Sequence, residues 1–325
     1  MVDNLYKKIL LSDRLALSKA ITLIESTKLK DKENSDKLIK KLFKKSGKSL
    51  RIGISGPPGV GKSTFIETLG IFLLNKDYKV AVLAVDPSSK KSGGSILGDK
   101  TRMEQLSIKK NAYIRPSPSG GELGGVARKT RESMILVEAA GYEIILIETV
   151  GVGQSETEVA EMVDIFLVLL QPSSGDELQG IKKGIIEIAD LLVVNKEDKF
   201  KNEVIQTVAD YKNALSLLKK DKNSFNTQVA QCSALNKTGI ENIWKIINNF
   251  RILGNKKGWI KEKRKKQLAK WMWDDLQKNL FDKIKNNKKL ILDFNKLQDK
   301  VSKNIISPTE ASKKILHHYL KNNKS

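Results

Sequence analysis

The run of residues from Gly56 to Thr64 has the types and spacing needed to bind phosphate. It comprises Gly56, Pro57, Pro58, Gly59, Val60, Gly61, Lys62, Ser63 and Thr64, and it matches G-x-x-x-x-G-K-[ST] at every fixed position. Glycines let the backbone turn its N–H groups toward a phosphate, and a helix N-terminus adds partial positive charge. We therefore predict a triphosphate site in which Lys62 reaches the β- and γ-phosphates and Ser63 binds Mg²⁺.

A carboxylate with a glycine three residues later follows a second apolar run. The segment from Glu148 to Glu156 reads E-T-V-G-V-G-Q-S-E and resembles the Asp-x-x-Gly element of GTPases, with glutamate in the aspartate place. A carboxylate at a strand end can hold Mg²⁺ directly or through water, and the Gly151 N–H could meet a γ-phosphate. We expect Lys62 and Glu148 to act in catalysis, and Gln154 is the candidate for orienting the attacking water.

Two further motifs follow later apolar runs and predict recognition of guanine. Asn195, Lys196 and Asp198 match N-K-x-D. Two guanine N–H donors need a carboxylate acceptor, which Asp198 supplies, and adenine cannot offer that pair of donors. The second motif resembles the S-A-x loop whose backbone N–H meets the guanine oxygen, and it consists of Ser233, Ala234 and Leu235. The expected ligand is GTP or GDP with Mg²⁺.

Apolar runs predict the strands that must carry these loops. Besides the run before the phosphate loop, they are Val80–Val85, Tyr142–Ile147, Ile165–Leu170, Leu191–Val194 and Val229–Cys232. Continuous apolar runs are typical of strands buried on both faces of a parallel sheet. Ligands bind beyond the carboxyl ends of such strands, where every motif above lies. The predicted fold class is α/β, a P-loop GTPase domain with a mainly parallel sheet and helices on both faces.

Helical patterns on either side set the predicted domain bounds. Residues 1–48 predict an N-terminal helical cap, residues 49–250 the nucleotide-binding domain, and residues 251–325 a C-terminal helical dimerisation arm. The apolar face expected in the cap contains Leu10, Leu11, Leu15, Leu17, Ile21 and Ile24. In the arm, helical spacing indicates a long helix from residue 259 to residue 285, and its aromatic residues favour a symmetric interface.

Composition limits the function classes. The 325 residues carry a net charge of +22, but the lysines are scattered along the chain without an aromatic platform, so we do not expect nucleic-acid binding. No apolar run reaches the length of a membrane span, and the first residues contain no signal-peptide core. The single cysteine, Cys232, fits a reducing cytoplasm and is interpreted as a small core residue.

These motifs together resemble the MeaB/ArgK family of G proteins, the methylmalonyl-CoA mutase-associated GTPases. The resemblance covers nearly the whole chain and is weakest at the N-terminus. Besides the phosphate loop and the Glu148 element, the matching stretches are Ala84–Ser89, Ser92–Met103, Gly175–Gly184 and Arg264–Trp273. The stretch Gly175–Gly184 resembles a third switch that is particular to this family.

The resemblance implies a homodimeric, slow, partner-stimulated GTPase. Its client would be an adenosylcobalamin-dependent acyl-CoA mutase, with methylmalonyl-CoA mutase as the family default. Such chaperones gate cofactor delivery and protect the mutase. The resemblance also makes Ser63, Asp86, Asp99 and Glu148 the candidates for the Mg²⁺ sphere.

Two other functions remain open at this point. A metallochaperone GTPase for nickel enzymes shares this type of nucleotide domain, but it predicts Cys and His clusters, and the chain has one cysteine and two histidines. Some family members have been labelled arginine/ornithine transport kinases. A small-molecule kinase would transfer the phosphate to an amino acid and not to water, and no second substrate site supports this alternative.

Overall fold

A computed structural model describes residues 1–86, 103–118, 123–149, 154–172, 183–217, 225–285 and 287–322. In these ranges the strands are β1 (Leu50–Ser55), β2 (Val80–Asp86), β3 (Ala112–Pro118), β4 (Ile144–Glu148), β5 (Ile165–Leu170), β6 (Leu191–Val194) and β7 (Gln228–Gln231). They form one seven-stranded sheet in the order β3-β2-β4-β1-β5-β6-β7, and every described pairing is parallel. The predicted parallel sheet is therefore confirmed.

The helices before and within the sheet region are α1 (Val2–Leu10), α2 (Arg14–Glu25), α3 (Leu29–Leu42), α4 (Lys62–Leu74), α5 (Glu104–Ser107), α6 (Leu123–Ala139), α7 (Gln154–Ala160), α8 (Lys183–Ile188) and α9 (Lys201–Ser216). The later helices are α10 (Ile240–Lys257), α11 (Trp259–Lys285), α12 (Lys288–Ser302) and α13 (Pro308–Asn322). The long helix predicted from residue 259 to residue 285 is confirmed with the same bounds. No described helix combines the length and the apolar character that crossing a bilayer requires.

Strand β1 lies at the centre of the sheet and shows how both faces are covered. Ile52 and Ile54 point to one face, in the same buried cluster as Phe65 of α4 and Ile243 of α10. Gly53 points to the other face, where a Cβ atom would come within 3.1 Å of Val159 in α7. Helices therefore pack on both faces, as predicted, and the absence of a side chain at Gly53 lets α7 approach β1 closely.

Strand β3 was not predicted from the sequence. Among the described strands it pairs with β2 alone, so it is an edge strand. It contains Arg115 and Pro116, which break the apolar run by which the other strands were recognised. An edge strand tolerates proline because one side of its backbone has no ladder partner. Side chains of α2 contact this strand, since Ser18 bonds the Tyr113 hydroxyl and Glu25 pairs with Arg115.

The apolar face predicted for the N-terminal helices is wrong in part. Leu17, Ile21 and Ile24 are buried, whereas Leu11 is 81% exposed, Leu15 is 65% exposed and Leu10 is also exposed. The cause is a break between α1 and α2 at Ser12, which has a φ of 60°. A helix that restarts after such a turn presents a different face, so a single periodicity cannot run through both helices.

The chain divides into two compact units, Met1–Lys265 and Lys266–Ser325. Within the first unit, charged groups hold the beginning of α11 in place. The Arg264 guanidinium lies 2.7 Å and 2.6 Å from the two carboxylate oxygens of Asp164, and the Lys263 ammonium donates to the Asp164 carbonyl oxygen. Burial opposes the charge on Arg264, but its hydrogen bond to Asp164 leaves the guanidinium pKa raised overall.

In the second unit, Leu268, Met272, Leu276 and Leu280 are exposed at four-residue intervals on α11.

Candidate functional site

The predicted phosphate loop connects β1 to α4, the strand–loop–helix context that the motif requires. Its backbone needs glycine at two positions. A Cβ atom on Gly56 would lie 2.5 Å from the Leu169 carbonyl oxygen, and a Cβ atom on Gly61 would lie 2.8 Å from the Asn195 side-chain nitrogen. Both glycines have positive φ angles, 150° and 96°, where other residues are strained. The loop therefore follows a tight path that only glycine allows.

The Lys62 side chain folds back over this loop. Its Nζ donates to the Gly56 carbonyl oxygen at 2.7 Å and to the Pro57 carbonyl oxygen at 3.2 Å. Lys62 is also the first residue of α4, so its ammonium group and the helix N-terminus place positive charge at the same loop. This arrangement is suited to an anion with several charged oxygens.

Ser63 and Glu148 are brought together by the pairing of β1 with β4. The register places Ile54 opposite Glu148, and the Ser63 Oγ donates to the Glu148 Oε1 at 3.3 Å. Glu148 is buried. Hydroxyl and carboxylate oxygens are the ligands that Mg²⁺ prefers, so this pair fits such an ion. In the described ranges no three His, Cys, Asp or Glu side chains form a group that could hold a metal ion.

Asn195 connects the N-K-x-D segment to two other loops. Its Nδ2 donates to the Val60 carbonyl oxygen at 2.9 Å, inside the phosphate loop. Its Oδ1 accepts from the Ala234 backbone N–H at 3.0 Å and from the Cys232 thiol at 3.4 Å. Asn195 is 3% exposed, so these bonds are shielded from water. One buried amide therefore holds the phosphate loop, the N-K-x-D segment and the S-A-x segment together.

Asp198 lies at the rim of the same region and is exposed to solvent. Its Oδ1 accepts a hydrogen bond from the Ser233 Oγ at 2.5 Å, and the same Oγ accepts from the Asn236 backbone N–H at 3.0 Å. Between Asn195 and Asp198, Lys196 adopts the left-handed conformation with a φ of 68°. The two motifs predicted to read guanine therefore meet at one point, with Leu235 largely exposed beside them.

Two residues that the sequence analysis did not assign to the site also support it. The Thr68 hydroxyl of α4 donates to the Ala234 carbonyl oxygen at 2.9 Å. The Cys232 thiol is fully buried, and burial raises its pKa to about 12, with the nearby carboxylates of Glu197 and Asp198 acting in the same direction. A thiol with this pKa is a poor nucleophile, which agrees with the structural role expected of Cys232. Nothing in the local sequence around Thr68 indicates its contact.

Several predicted residues lie outside what the structure describes. They are the side chains of Asp86 and Gln154, all of Asp99, and the predicted switch residues 92–102 and 175–182. Their assigned roles therefore stay predictions.

Comparisons with known proteins agree with this geometry. A family model described as "Methylmalonyl Co-A mutase-associated GTPase MeaB" matches residues 17–289. A putative GTPase of Caulobacter vibrioides is 51% identical over 284 residues, 87% of this chain and 87% of the relative. The mitochondrial methylmalonic aciduria type A homolog of Mus musculus is 44% identical over 329 residues, 97% of this chain and 79% of the relative. A crystal structure described as a LAO/AO transport system kinase is 34% identical, with a TM-score of 0.77 and coverage of 98% of this chain and 97% of that one.

Proposed function

The chain belongs to the MeaB family of methylmalonyl-CoA mutase-associated GTPases, and we propose that it is a GTPase chaperone of an adenosylcobalamin-dependent acyl-CoA mutase. The observation that carries the nucleotide part is the Asn195 amide, which holds the phosphate loop against the N-K-x-D and S-A-x segments. The mutase part rests on the family and on the names of its members. Methylmalonyl-CoA mutase is the first client to test.

In this proposal, different residues at the carboxyl edge of the sheet have different roles in GTP hydrolysis. The backbone N–H groups of residues 59–64 and the N-terminus of α4 bind the phosphates, and Lys62 neutralises the charge that develops on the γ-phosphate. Ser63 and Glu148 would hold Mg²⁺, which supplies charge neutralisation at the β- and γ-phosphate oxygens when bound. In this proposal Asp86 and Asp99 complete the ion's ligands, and Gln154 orients the attacking water.

Base selection in this proposal belongs to Asp198. Its carboxylate accepts from the two guanine N–H donors, while the S-A-x segment faces the guanine oxygen. Asp198 already shares a hydrogen bond with Ser233, which fixes the direction of the carboxylate before a base arrives. Hydrogen bonds to a charged group contribute about 1.5–3 kcal/mol each, enough to separate GTP from ATP by one to two orders of magnitude. Calorimetry should therefore detect GTP and GDP binding, with ATP far weaker.

In this proposal the protein acts on the mutase as a nucleotide-dependent switch. Low intrinsic turnover that the client accelerates would let the bound nucleotide report whether the mutase holds its cofactor, which gates delivery of adenosylcobalamin. A reducing compartment such as the cytoplasm suits a chain with one buried thiol.

The client is tested with purified proteins. GTP hydrolysis is measured with and without methylmalonyl-CoA mutase, and transfer of adenosylcobalamin to the mutase is followed by absorbance. We expect the mutase to raise the hydrolysis rate and GTP to change the transfer rate. The Lys62→Ala variant is the control, since it should lose both effects. A wild-type protein that neither binds the mutase nor responds to it contradicts the chaperone role.

A kinase is the second candidate, because the solved structure with a TM-score of 0.77 is described as a transport system kinase. The two functions differ in the acceptor of the γ-phosphate. Incubation with labelled GTP and with arginine or ornithine separates them: a GTPase releases inorganic phosphate at the same rate with or without the amino acid. Labelled phosphoarginine would instead support the kinase.

We also propose that the protein is a homodimer through the C-terminal helical arm, residues 251–325. The exposed four-residue stripe on α11, Leu268, Met272, Leu276 and Leu280, is a large apolar surface for a soluble chain. A symmetric pairing of two such stripes is the default way to cover it. Light scattering should give a dimer for the wild type and a monomer for Met272→Glu/Leu276→Glu, while Lys270→Glu on the same helix serves as control. A monomeric wild type contradicts this assignment.

A further inference from the structure

Ser55, the last residue of β1, lies directly before the phosphate loop and is fully buried. The Thr149 Oγ1 donates to the Ser55 Oγ at 2.8 Å, and the Ser55 Oγ donates to the Glu156 Oε1 at 2.9 Å. We call these three residues the Ser55 network. Thr149 and Glu156 are also buried, at 0% and 1% exposure, so water does not compete for these bonds.

The direction of the two hydrogen bonds is set by chemistry. A carboxylate only accepts hydrogen bonds, so the single proton of the Ser55 hydroxyl is committed to Glu156. The Ser55 oxygen then accepts, and the proton of Thr149 supplies that bond. Every hydroxyl in the Ser55 network therefore has one defined role, and loss of the Ser55 hydroxyl removes both bonds together.

The packing around β1 explains why these residues meet. Thr149 follows β4, and its backbone N–H donates to the Ile54 carbonyl oxygen at 3.0 Å. Glu156 lies in the first turn of α7, which reaches β1 because Gly53 has no side chain to hold it away. The two partners thus approach the Ser55 hydroxyl from a neighbouring strand and from a helix on the face of the sheet.

The Ser55 network is adjacent in the chain to two residues of the phosphate site. Thr149 directly follows Glu148, whose carboxylate accepts a hydrogen bond from Ser63 at 3.3 Å. Ser55 directly precedes Gly56, whose carbonyl oxygen accepts from the Lys62 ammonium at 2.7 Å. A shift of either hydroxyl would therefore move a group that we place in the hydrolysis machinery.

The Glu156 carboxylate supplies a second indication. No described residue donates a hydrogen bond to its Oε2, although this atom is buried. Burial of an acceptor without a donor lowers stability, whereas an apolar side chain at this position would carry no such acceptor. A carboxylate at this position is therefore not explained by the stability of the fold.

We propose that the Ser55 hydroxyl is a positioning group for GTP hydrolysis. Its two hydrogen bonds join Thr149 and Glu156, which precede and follow residues 150–153 in the chain, to β1, the strand before the phosphate loop. It thereby fixes Glu148 and the start of α7 relative to Lys62. Both hydroxyls of the Ser55 network are buried and donate within it, so the network sets the rate of hydrolysis and has little effect on the affinity for nucleotide. This inference rests on the GTPase activity and does not depend on the mutase.

The test uses the full-length protein without any mutase, so its result is independent of the client assignment. The kcat of GTP hydrolysis at saturating GTP and the GDP affinity are measured for the wild type and for Ser55→Ala, Thr149→Val and Thr149→Ser. We expect Ser55→Ala and Thr149→Val each to lower kcat about ten-fold or more, because misplacement of catalytic groups has effects of this size. GDP affinity should stay within about two-fold, since no bond to nucleotide is lost. Thr149→Ser keeps the hydroxyl and should keep kcat.

Two further variants make the test decisive. Ser49→Ala is the matched control. Ser49 is buried directly before the first residue of β1, and the substitution removes the hydrogen bond from its hydroxyl to the Tyr142 carbonyl oxygen. It should lower the melting temperature and leave kcat unchanged. The double variant Ser55→Ala/Thr149→Val should be no slower than the slower single variant, since either change breaks the same chain of bonds. Unchanged kcat in both single variants, or a Thr149→Ser variant as slow as Thr149→Val, would overturn the proposal.

Discussion

The Asn195 amide nitrogen donates a hydrogen bond to the Val60 carbonyl oxygen at 2.9 Å, so the loop after β6 is bound directly to the loop after β1. Parallel strands bring their carboxyl ends to one edge of the sheet, which makes this contact possible between residues far apart in sequence. The same side chain accepts from the Ala234 backbone N–H. The segments predicted to bind phosphate and to read the base therefore share one buried group.

Replacement of Asn195 should weaken GTP binding without direct loss of a phosphate contact. In Asn195→Ala the Val60 oxygen and the Ala234 N–H lose their buried partner, and each such loss costs about 1–3 kcal/mol. We expect GTP affinity to fall at least about ten-fold and the melting temperature to fall as well. Calorimetry and thermal unfolding measure the two effects. Asn242→Ala, at an exposed position of α10, is the control and should change neither.

Asp198→Asn should exchange the preferred base. The amide presents a donor where the carboxylate accepts, so guanine loses a charged acceptor and xanthine, with a carbonyl at that position, gains a partner. The expected change is about 10- to 100-fold against GTP and in favour of xanthosine triphosphate. Competition binding with both nucleotides measures it. The amide oxygen can still accept from Ser233, so the loop should keep its position; unchanged selectivity would show that Asp198 does not read the base.

Gly61→Ala should abolish tight nucleotide binding, whereas Gly47→Ala should not. The left-handed backbone at Gly61 costs an alanine about 1–2 kcal/mol, and its Cβ would lie 2.8 Å from the Asn195 Nδ2. Asn195 must then move away from Val60. Gly47 is the matched control: its φ of 92° carries the same strain, but no atom lies within 4 Å of its Cβ. Gly47→Ala should lower stability to a similar extent and leave GTP affinity intact, as measured by calorimetry on both variants.

The ion pair of Arg264 with Asp164 should contribute strongly to stability because Asp164 is fully buried. Arg264→Met leaves this carboxylate without its charged partner and should lower the unfolding free energy by about 3–5 kcal/mol. Asp164→Asn combined with Arg264→Met removes both charges and should be less damaging than Arg264→Met alone. Urea unfolding of the three proteins measures the differences. A double variant that loses as much stability as the single one would mean that the carboxylate charge is not the cause.

Cys232 gives a pH dependence with a defined sign. Burial raises its pKa from 9.0 to about 12 in the folded protein, while the unfolded chain releases the proton near 9.0. The thiol's contribution to stability is therefore complete below pH 9 and is lost as the pH rises toward 12. Relative to Cys232→Ala, the wild type should lose unfolding free energy as the pH rises from about 9 toward about 12. A constant difference between the two proteins over this range would contradict the burial of the thiol.

Local sequence determined the phosphate loop and the character of the sheet strands. The motif from Gly56 to Thr64 depends on backbone angles within a few residues, and the apolar runs of β5 and β6 report burial on both faces without reference to any partner. For the same reason the long helix α11 could be placed at its observed bounds from its spacing alone. Strand β3 was not predicted because Arg115 and Pro116 interrupt its apolar run.

The tertiary structure decided which side chains from distant segments meet. The turn at Ser12 changed which leucines of the N-terminal helices are buried, the register of β1 with β4 placed Ser63 beside Glu148, and the missing side chain at Gly53 brought Glu156 to Ser55. Residue types predict what a group can donate, accept or bury. Which group it meets depends on strand order and on close packing between elements far apart in the chain, and neither is written in any local pattern.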